Sequence, residues 1–168
     1  MASNIQPITM AYRIGGWGDQ GTQWFPEGGT QSYLIGAPLK FSSGTVVVIS
    51  SVTTPVIAGI ALVKATGTTG SYSNLNAPVI LPLDDVIFNV SVDTTTTSGT
   101  AALGTGSPSN FNIGGTYQLL LDSTSGNYYM GTGASNAVFT LIGYDPLNYS
   151  VINGRVWVRI LKSQTAWT

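Results

Sequence analysis

The side chains that most often carry out catalysis are missing from this sequence. No histidine and no cysteine occurs among its 168 residues, which removes Ser-His-Asp triads, Cys-His dyads and histidine-ligated zinc. Asp84-Asp85 is the only adjacent carboxyl pair. Neighbours on a strand point to opposite faces, so this pair is not expected to flank one substrate bond as in a glycosidase. We expect a turn there and predict no enzyme; a lysine nucleophile or a carboxyl pair assembled by the fold is the remaining catalytic alternative.

Three further aspartates, Asp93, Asp122 and Asp145, each follow a predicted strand. Aspartate at such positions commonly forms an Asx turn with the backbone. A calcium loop needs several acidic oxygens at short spacing, and no such run occurs. No metal site is therefore predicted.

The segment Gly16–Gly21 fits the pattern G-x-G-x-x-G. In dinucleotide sites this pattern lies between a strand and the N-terminus of a helix that holds the pyrophosphate. Trp24, Phe25 and Pro26 follow it, where a helix would have to begin. We interpret the motif as part of a glycine-rich irregular segment and not as a cofactor site.

Charge is scarce and scattered along the chain. Charged residues make up 8% of the sequence and the net charge is −1, whereas an ordinary soluble domain has about 25% charged residues. The six cations are Arg13, Lys40, Lys64, Arg155, Arg159 and Lys162. Nucleic-acid binding depends on clustered cations that contact phosphates, so no nucleic-acid partner is expected.

A membrane partner is not expected either. The longest uncharged stretch, Phe41–Val63, is interrupted by Pro55 and two glycines. It is interpreted as two strands and a turn, because a helix that spans a bilayer needs about 20 predominantly apolar residues. No signal peptide is expected before Arg13.

Two-residue alternation of apolar and polar side chains predicts an all-β fold. The predicted strands are Pro38–Phe41 with Thr45–Ser51 as a hairpin, Val56–Thr66 as a central strand, Asp85–Asp93, Thr116–Asp122 with Tyr128–Met130, Ala137–Asp145 and Asn153–Lys162. Six to eight strands without a convincing helix predict a small single-domain β-barrel or sandwich over residues 36–168. The predicted core is Ile60, Leu62, Phe88, Val90, Leu119, Phe139, Leu141, Val156, Val158 and Ile160.

Residues 1–35 show no regular period and are predicted to form an extended arm rich in glycine and aromatic residues. Trp17, Trp24 and Phe25 lie in this arm, which is not expected to build a core of its own. Aromatic residues in such a segment usually pack against a partner. We consider a different protein and the domain itself as equally good partners.

A second candidate contact lies on the C-terminal strand. Trp157 stands between Arg155 and Arg159 on the face opposite the predicted core. This face could meet another subunit. An ordinary exterior with cation–π contacts explains the pattern equally well.

Several segments, taken in order, resemble the head decoration proteins of tailed phages that are called structural cement proteins. They are Ala37-Pro-Leu-Lys before the Val46 strand, Ile57-Ala-Gly-Ile-Ala-Leu-Val-Lys-Ala-Thr-Gly, Asp85-Val-Ile-Phe-Asn-Val, Gly115-Thr-Tyr-Gln-Leu and Asn153-Gly-Arg-Val-Trp-Val-Arg-Ile-Leu. The resemblance covers Gly36–Lys162. It implies a compact β-barrel without a cofactor, made in the host cytoplasm and bound to the outside of the capsid, where it clamps neighbouring major capsid proteins, as a homo-oligomer or beside neighbouring copies.

Two alternatives remain open. The first is a carbohydrate- or receptor-binding β-module, in which exposed tryptophan or tyrosine would stack on sugar rings. The second is a different virion part, such as a tail or baseplate barrel.

Overall fold

The computed structural model describes residues 5–14, 21–50, 52, 55–65, 76–96 and 103–167. Within them the chain forms eleven strands and two short 3₁₀ helices, Pro108–Asn110 and Lys162–Gln164. The strands are β1 (Thr9–Arg13), β2 (Thr22–Pro26), β3 (Pro38–Ser42), β4 (Thr45–Val48), β5 (Gly59–Ala61), β6 (Asn76–Ile80), β7 (Val86–Ser91), β8 (Thr116–Leu121), β9 (Tyr128–Gly131), β10 (Ala137–Tyr144) and β11 (Arg155–Ile160). No described helix is long and apolar enough to cross a membrane.

The strands form two antiparallel sheets that pack as a sandwich. One sheet has six strands in the order β1-β7-β11-β10-β8-β9, and the other has five in the order β2-β6-β5-β3-β4. The all-β prediction is confirmed. Of the two predicted architectures, barrel and sandwich, the structure has the sandwich and not a closed barrel. It also has more strands than the six to eight predicted, because short edge strands lack the alternation that marks β10 and β11.

Local sequence explains the clearest elements. The β3–β4 hairpin turns at Ser43 and Gly44, whose φ angles of 49° and 80° are both positive, as a two-residue type I′ turn requires. In β11, Val156, Val158 and Ile160 are buried while the alternate residues are only partly buried. This is the period of a strand with one face on the core.

The predicted core is confirmed at every position except Leu62. The other residues are between 0% and 6% exposed, whereas Leu62 is 39% exposed. The prediction extended the central strand to Thr66, but β5 ends at Ala61 and the chain bends at Leu62. The period that points Ile60 inward therefore does not continue to Leu62.

Parts of the predicted N-terminal arm are strands, so the expectation of irregular backbone is wrong there. β1 pairs with β7, and β2 pairs with β6, which places both at the edge of a sheet. Alternation is weak because β2 is partly or fully exposed on both faces and the register of β1 shifts between Met10 and Tyr12. The domain boundary at residue 35 stays a prediction.

Gly36 shows how closely the N-terminal segment packs on the domain. Its φ is +82°, and a Cβ atom there would lie 2.5 Å from Ile8 N and 2.6 Å from Ile8 O. Any other residue would have to displace this backbone. The approach therefore ties the segment before β1 to the chain that enters β3.

Alkaline pH is expected to weaken the fold through Tyr128. Burial raises the pKa of Tyr128 from 10.0 to about 12, and its hydroxyl donates to Ile49 O at 2.8 Å. Because the folded state holds this proton more tightly than the unfolded chain, the contribution is complete below pH 10 and is lost as the pH rises through about 12. Denaturant unfolding across this interval should show a smaller loss for Tyr128→Phe than for wild type. Exposed Tyr149 supplies the control, since Tyr149→Phe should follow wild type; equal losses in all three proteins would contradict the prediction.

Candidate partner-binding surfaces

The outer face of β11 is the first candidate surface. On it, Arg155 makes hydrogen bonds to other parts of the same chain. Its Nη2 donates to Pro7 O at 3.0 Å, Thr9 Oγ1 at 2.7 Å and Asn89 O at 3.0 Å. Burial lowers the pKa of the Arg155 guanidinium, and nearby Asp145 opposes this shift. Arg155 therefore joins the segment before β1 to the middle of the six-stranded sheet.

Trp157 and Arg159 continue this face. The Trp157 ring meets the Tyr12 ring edge-on, with centroids 5.7 Å apart, and lies over Gly143, where a Cβ atom would be 3.2 Å from Trp157 Cε3. Within the described part of the chain, Arg159 Nε is buried and has no hydrogen-bond partner. The Tyr12 side chain thus occupies part of this face beside Trp157, and the role of the face in binding a partner stays a prediction.

Trp24 and Phe25 form the second candidate surface, on the edge strand β2. Trp24 is 61% exposed and lies opposite Pro78 of β6. Phe25 is partly buried and packs against the main core. Neighbouring residues of a strand point to opposite faces, so Phe25 packs on the domain while Trp24 points away from it.

Phe25 belongs to an aromatic cluster with Phe41 and Trp167. The Phe25 ring lies 5.1 Å from Phe41 and 5.8 Å from Trp167, and Phe41 lies 5.5 Å from Trp167, centroid to centroid. Trp167 Nε1 also donates to Ala58 O at 2.7 Å. Phe41 and Trp167 were not among the predicted contacts. Trp167 could have been found from its position, because it is an aromatic residue beyond the last predicted strand.

The C-terminal segment and the chain before β7 line an open pocket of about 250 Å³. Its lining residues are Pro82, Leu83, Asp84, Lys162, Thr165 and Trp167. One carboxyl group and one ammonium group thus stand beside an aromatic ring. Among the described residues the only ion pair is Arg13 with Asp85, so Asp84 and Lys162 do not pair with each other.

The predicted aspartate turns are confirmed for Asp122 and Asp145 but not for Asp93, whose buried carboxyl group accepts from Gly104 N and Gly106 N further along the chain. Asp122 accepts hydrogen bonds from Thr124 N and Ser125 N at 3.1 Å each, and Asp145 accepts one from Leu147 N at 3.1 Å. Asp84 and Asp85 occupy a turn before β7. The described ranges contain no group of three or more residues of metal-ligating type that could hold an ion.

The structure separates the predicted contacts into two groups. Trp24 and Phe25 belong to the five-stranded sheet, whereas Arg155, Trp157 and Arg159 belong to the six-stranded sheet. Trp17 and most of the glycine motif lie outside the described residues, and a strand follows the motif where a dinucleotide site would need a helix.

Comparisons with protein-family models, with curated proteins and with solved structures found no significant match to this chain.

Proposed function

We propose that the protein is a capsid decoration, or cement, protein that binds the outside of a tailed-phage head and clamps neighbouring major capsid proteins. The proposal is supported by the sequence segments between Gly36 and Lys162 that resemble this family and follow one another in the same order. The all-β sandwich is compatible with it, and so is a sequence without histidine and cysteine. A decoration protein needs a surface complementary to the capsid and a stable fold, and it needs no catalytic residues.

The observation that carries the proposal is the exposure of Trp24. A tryptophan that is 61% exposed at the edge of a sheet leaves much of its large apolar ring in water. Tryptophan is enriched among the few interface residues that supply most of the binding energy. On a capsid lattice many copies bind side by side, so a modest contact per copy is sufficient.

Replacing Trp24 by alanine is expected to weaken binding to heads. Undecorated heads built from the cognate major capsid protein are mixed with increasing amounts of protein, and occupancy is measured by sedimentation. Trp24→Ala should need about ten times more protein for half occupancy, because tenfold corresponds to about 1.4 kcal/mol, within the range of interface tryptophans. Thermal unfolding should stay close to wild type.

Val56 provides the matched control, since it is 52% exposed and lies before β5. Val56→Ala should bind heads as wild type does. Unchanged occupancy for folded Trp24→Ala would reject this contact, and absence of wild-type binding to any head would reject the decoration function itself.

Point substitution tests the N-terminal contact better than deletion of residues 1–33. Deletion would remove β1 and β2, which pair with β7 and β6. It would therefore expose two further strand edges and confuse loss of binding with loss of folding.

The pocket beside Trp167 favours a second candidate function, a carbohydrate- or receptor-binding module of the virion. An aromatic ring flanked by a carboxyl and an ammonium group can stack on a sugar and hydrogen-bond its hydroxyls. Saturable binding on a glycan array that exposed Asp84→Asn abolishes, together with no binding to heads, would support this function over decoration.

A further inference from the structure

The pocket beside Trp167 contains two opposite charges. Asp84 and Lys162 both line it, and both are exposed to solvent. Within the part of the chain that the structure describes, neither side chain makes a hydrogen bond or an ion pair. The carboxylate and the ammonium group are therefore both available to a ligand that enters the pocket.

The C-terminal wall of this pocket is fixed by bonds to the chain before β5. Ile57 N donates to Gln164 O at 2.7 Å, and Ala166 N donates to Ile57 O at 2.9 Å. The Trp167 Nε1 group donates to Ala58 O at 2.7 Å. Because this wall is formed without a ligand, little conformational entropy is lost in ordering its backbone when a ligand binds.

An apolar surface lies beside the two charges. The Trp167 ring lines the pocket together with Pro82 and Leu83, and the Phe25 and Phe41 rings pack against it. The volume of about 250 Å³ lies just below the roughly 300–1,000 Å³ of ordinary small-molecule sites. The pocket therefore suits a ligand of about the size of one sugar residue, with an apolar face and polar groups at its edge.

We propose that this pocket binds a zwitterionic sugar residue, which carries both an amino group and a carboxyl group. The proposal rests on the carbohydrate-binding function above and names the ligand of the same pocket. Lys162 binds the carboxylate, Asp84 binds the ammonium group, and the sugar ring lies against Trp167. A sugar with a single charge is attracted by one of the two side chains and repelled by the other. A neutral sugar makes fewer of the charge-assisted hydrogen bonds, which are the stronger ones.

Four related sugars separate the two charges. Muramic acid carries both, N-acetylmuramic acid only the carboxylate, glucosamine only the ammonium group, and N-acetylglucosamine neither. The full chain is titrated with each sugar at about pH 6, where the amino and carboxyl groups of the sugars are charged. The NMR signal of Trp167 Nε1–H, assigned with Trp167→Phe, reports binding from about 0.1 mM to about 50 mM. Muramic acid should bind about tenfold tighter than N-acetylglucosamine, since an exposed ion pair contributes about threefold.

Two charge-removing variants assign each contact. Asp84→Asn should abolish the preference for muramic acid over N-acetylmuramic acid, because only the amino group differs between them. Lys162→Gln should abolish the preference for muramic acid over glucosamine, which lacks the carboxyl group. Lys64→Gln removes an exposed cation outside the pocket and should bind all four sugars as wild type does. Both preferences should shrink at about 1 M salt, which screens exposed charges.

Equal binding of the four sugars, unchanged in Asp84→Asn and Lys162→Gln, would overturn the zwitterionic ligand and leave the carbohydrate-binding function standing. The same conclusion would follow if none of the four sugars binds but other glycans on an array do. Binding to no glycan at all would reject the ligand and the carbohydrate-binding function together. Leucine is a zwitterion without a sugar ring, and leucine that binds as tightly as muramic acid would assign the pocket to amino acids instead.

Discussion

Phe88→Ala is expected to lower the free energy of unfolding by about 3–5 kcal/mol, the usual cost of removing a buried phenylalanine ring. Phe88 is 0% exposed and stands in β7, opposite Met10 of β1 and Val158 of β11. The cavity would open between the two sheets, where rigid strands on both sides limit collapse. Denaturant unfolding of wild type and variant, with equal slopes, measures the difference.

Phe41→Ala makes the same chemical change at a ring that is 39% exposed. It should cost clearly less than Phe88→Ala, because less apolar surface returns to water and no closed cavity forms. Equal losses in the two variants would show that the core is not centred on β7.

The parts of the fold that sequence predicted are those where local chemistry and tertiary packing agree. β10 and β11 alternate because one face lies on the core, and the β3–β4 turn contains the glycine that a positive φ favours. β1 and β2 are different, because an edge strand is stabilised by backbone pairing with one neighbour and needs no regular apolar face. Such strands are determined by β7 and β6, which are far away in the sequence.

The same distinction between local sequence and distant strand pairing applies to the candidate sites. Trp24 could be named because a tryptophan in a segment without its own core is unusual, but its separation from Phe25 depends on pairing with β6. The pocket beside Trp167 could not be predicted, since its lining residues come from two segments far apart in the sequence, the chain before β7 and the C-terminal segment.

A chain of hydrogen bonds ties the loop between β10 and β11 to a buried carboxyl group, that of Asp93. Asp93 is 0% exposed. Its Oδ2 accepts from Gly104 N at 2.8 Å and from the Thr95 hydroxyl, and its Oδ1 accepts from Gly106 N at 3.2 Å. Gly106 O in turn accepts from Asn153 N. A Cβ atom at Gly106 would lie 2.3 Å from Thr94 N, which leaves no room for a larger residue there.

Asp93→Ala is therefore expected to lower the free energy of unfolding by about 3–5 kcal/mol, because it leaves the buried Gly106 N and two partly buried donors, Gly104 N and the Thr95 hydroxyl, without an acceptor. Asp93→Asn keeps one acceptor oxygen and should cost less. Asp145→Ala removes the same group from a partly exposed turn, where water can replace it, and should cost about 1 kcal/mol. Hydrogen exchange should be faster at Gly104, Gly106 and Asn153 in Asp93→Ala. A loss no larger than that of Asp145→Ala, with unchanged exchange at these amides, would show that the carboxyl group does not hold the loop.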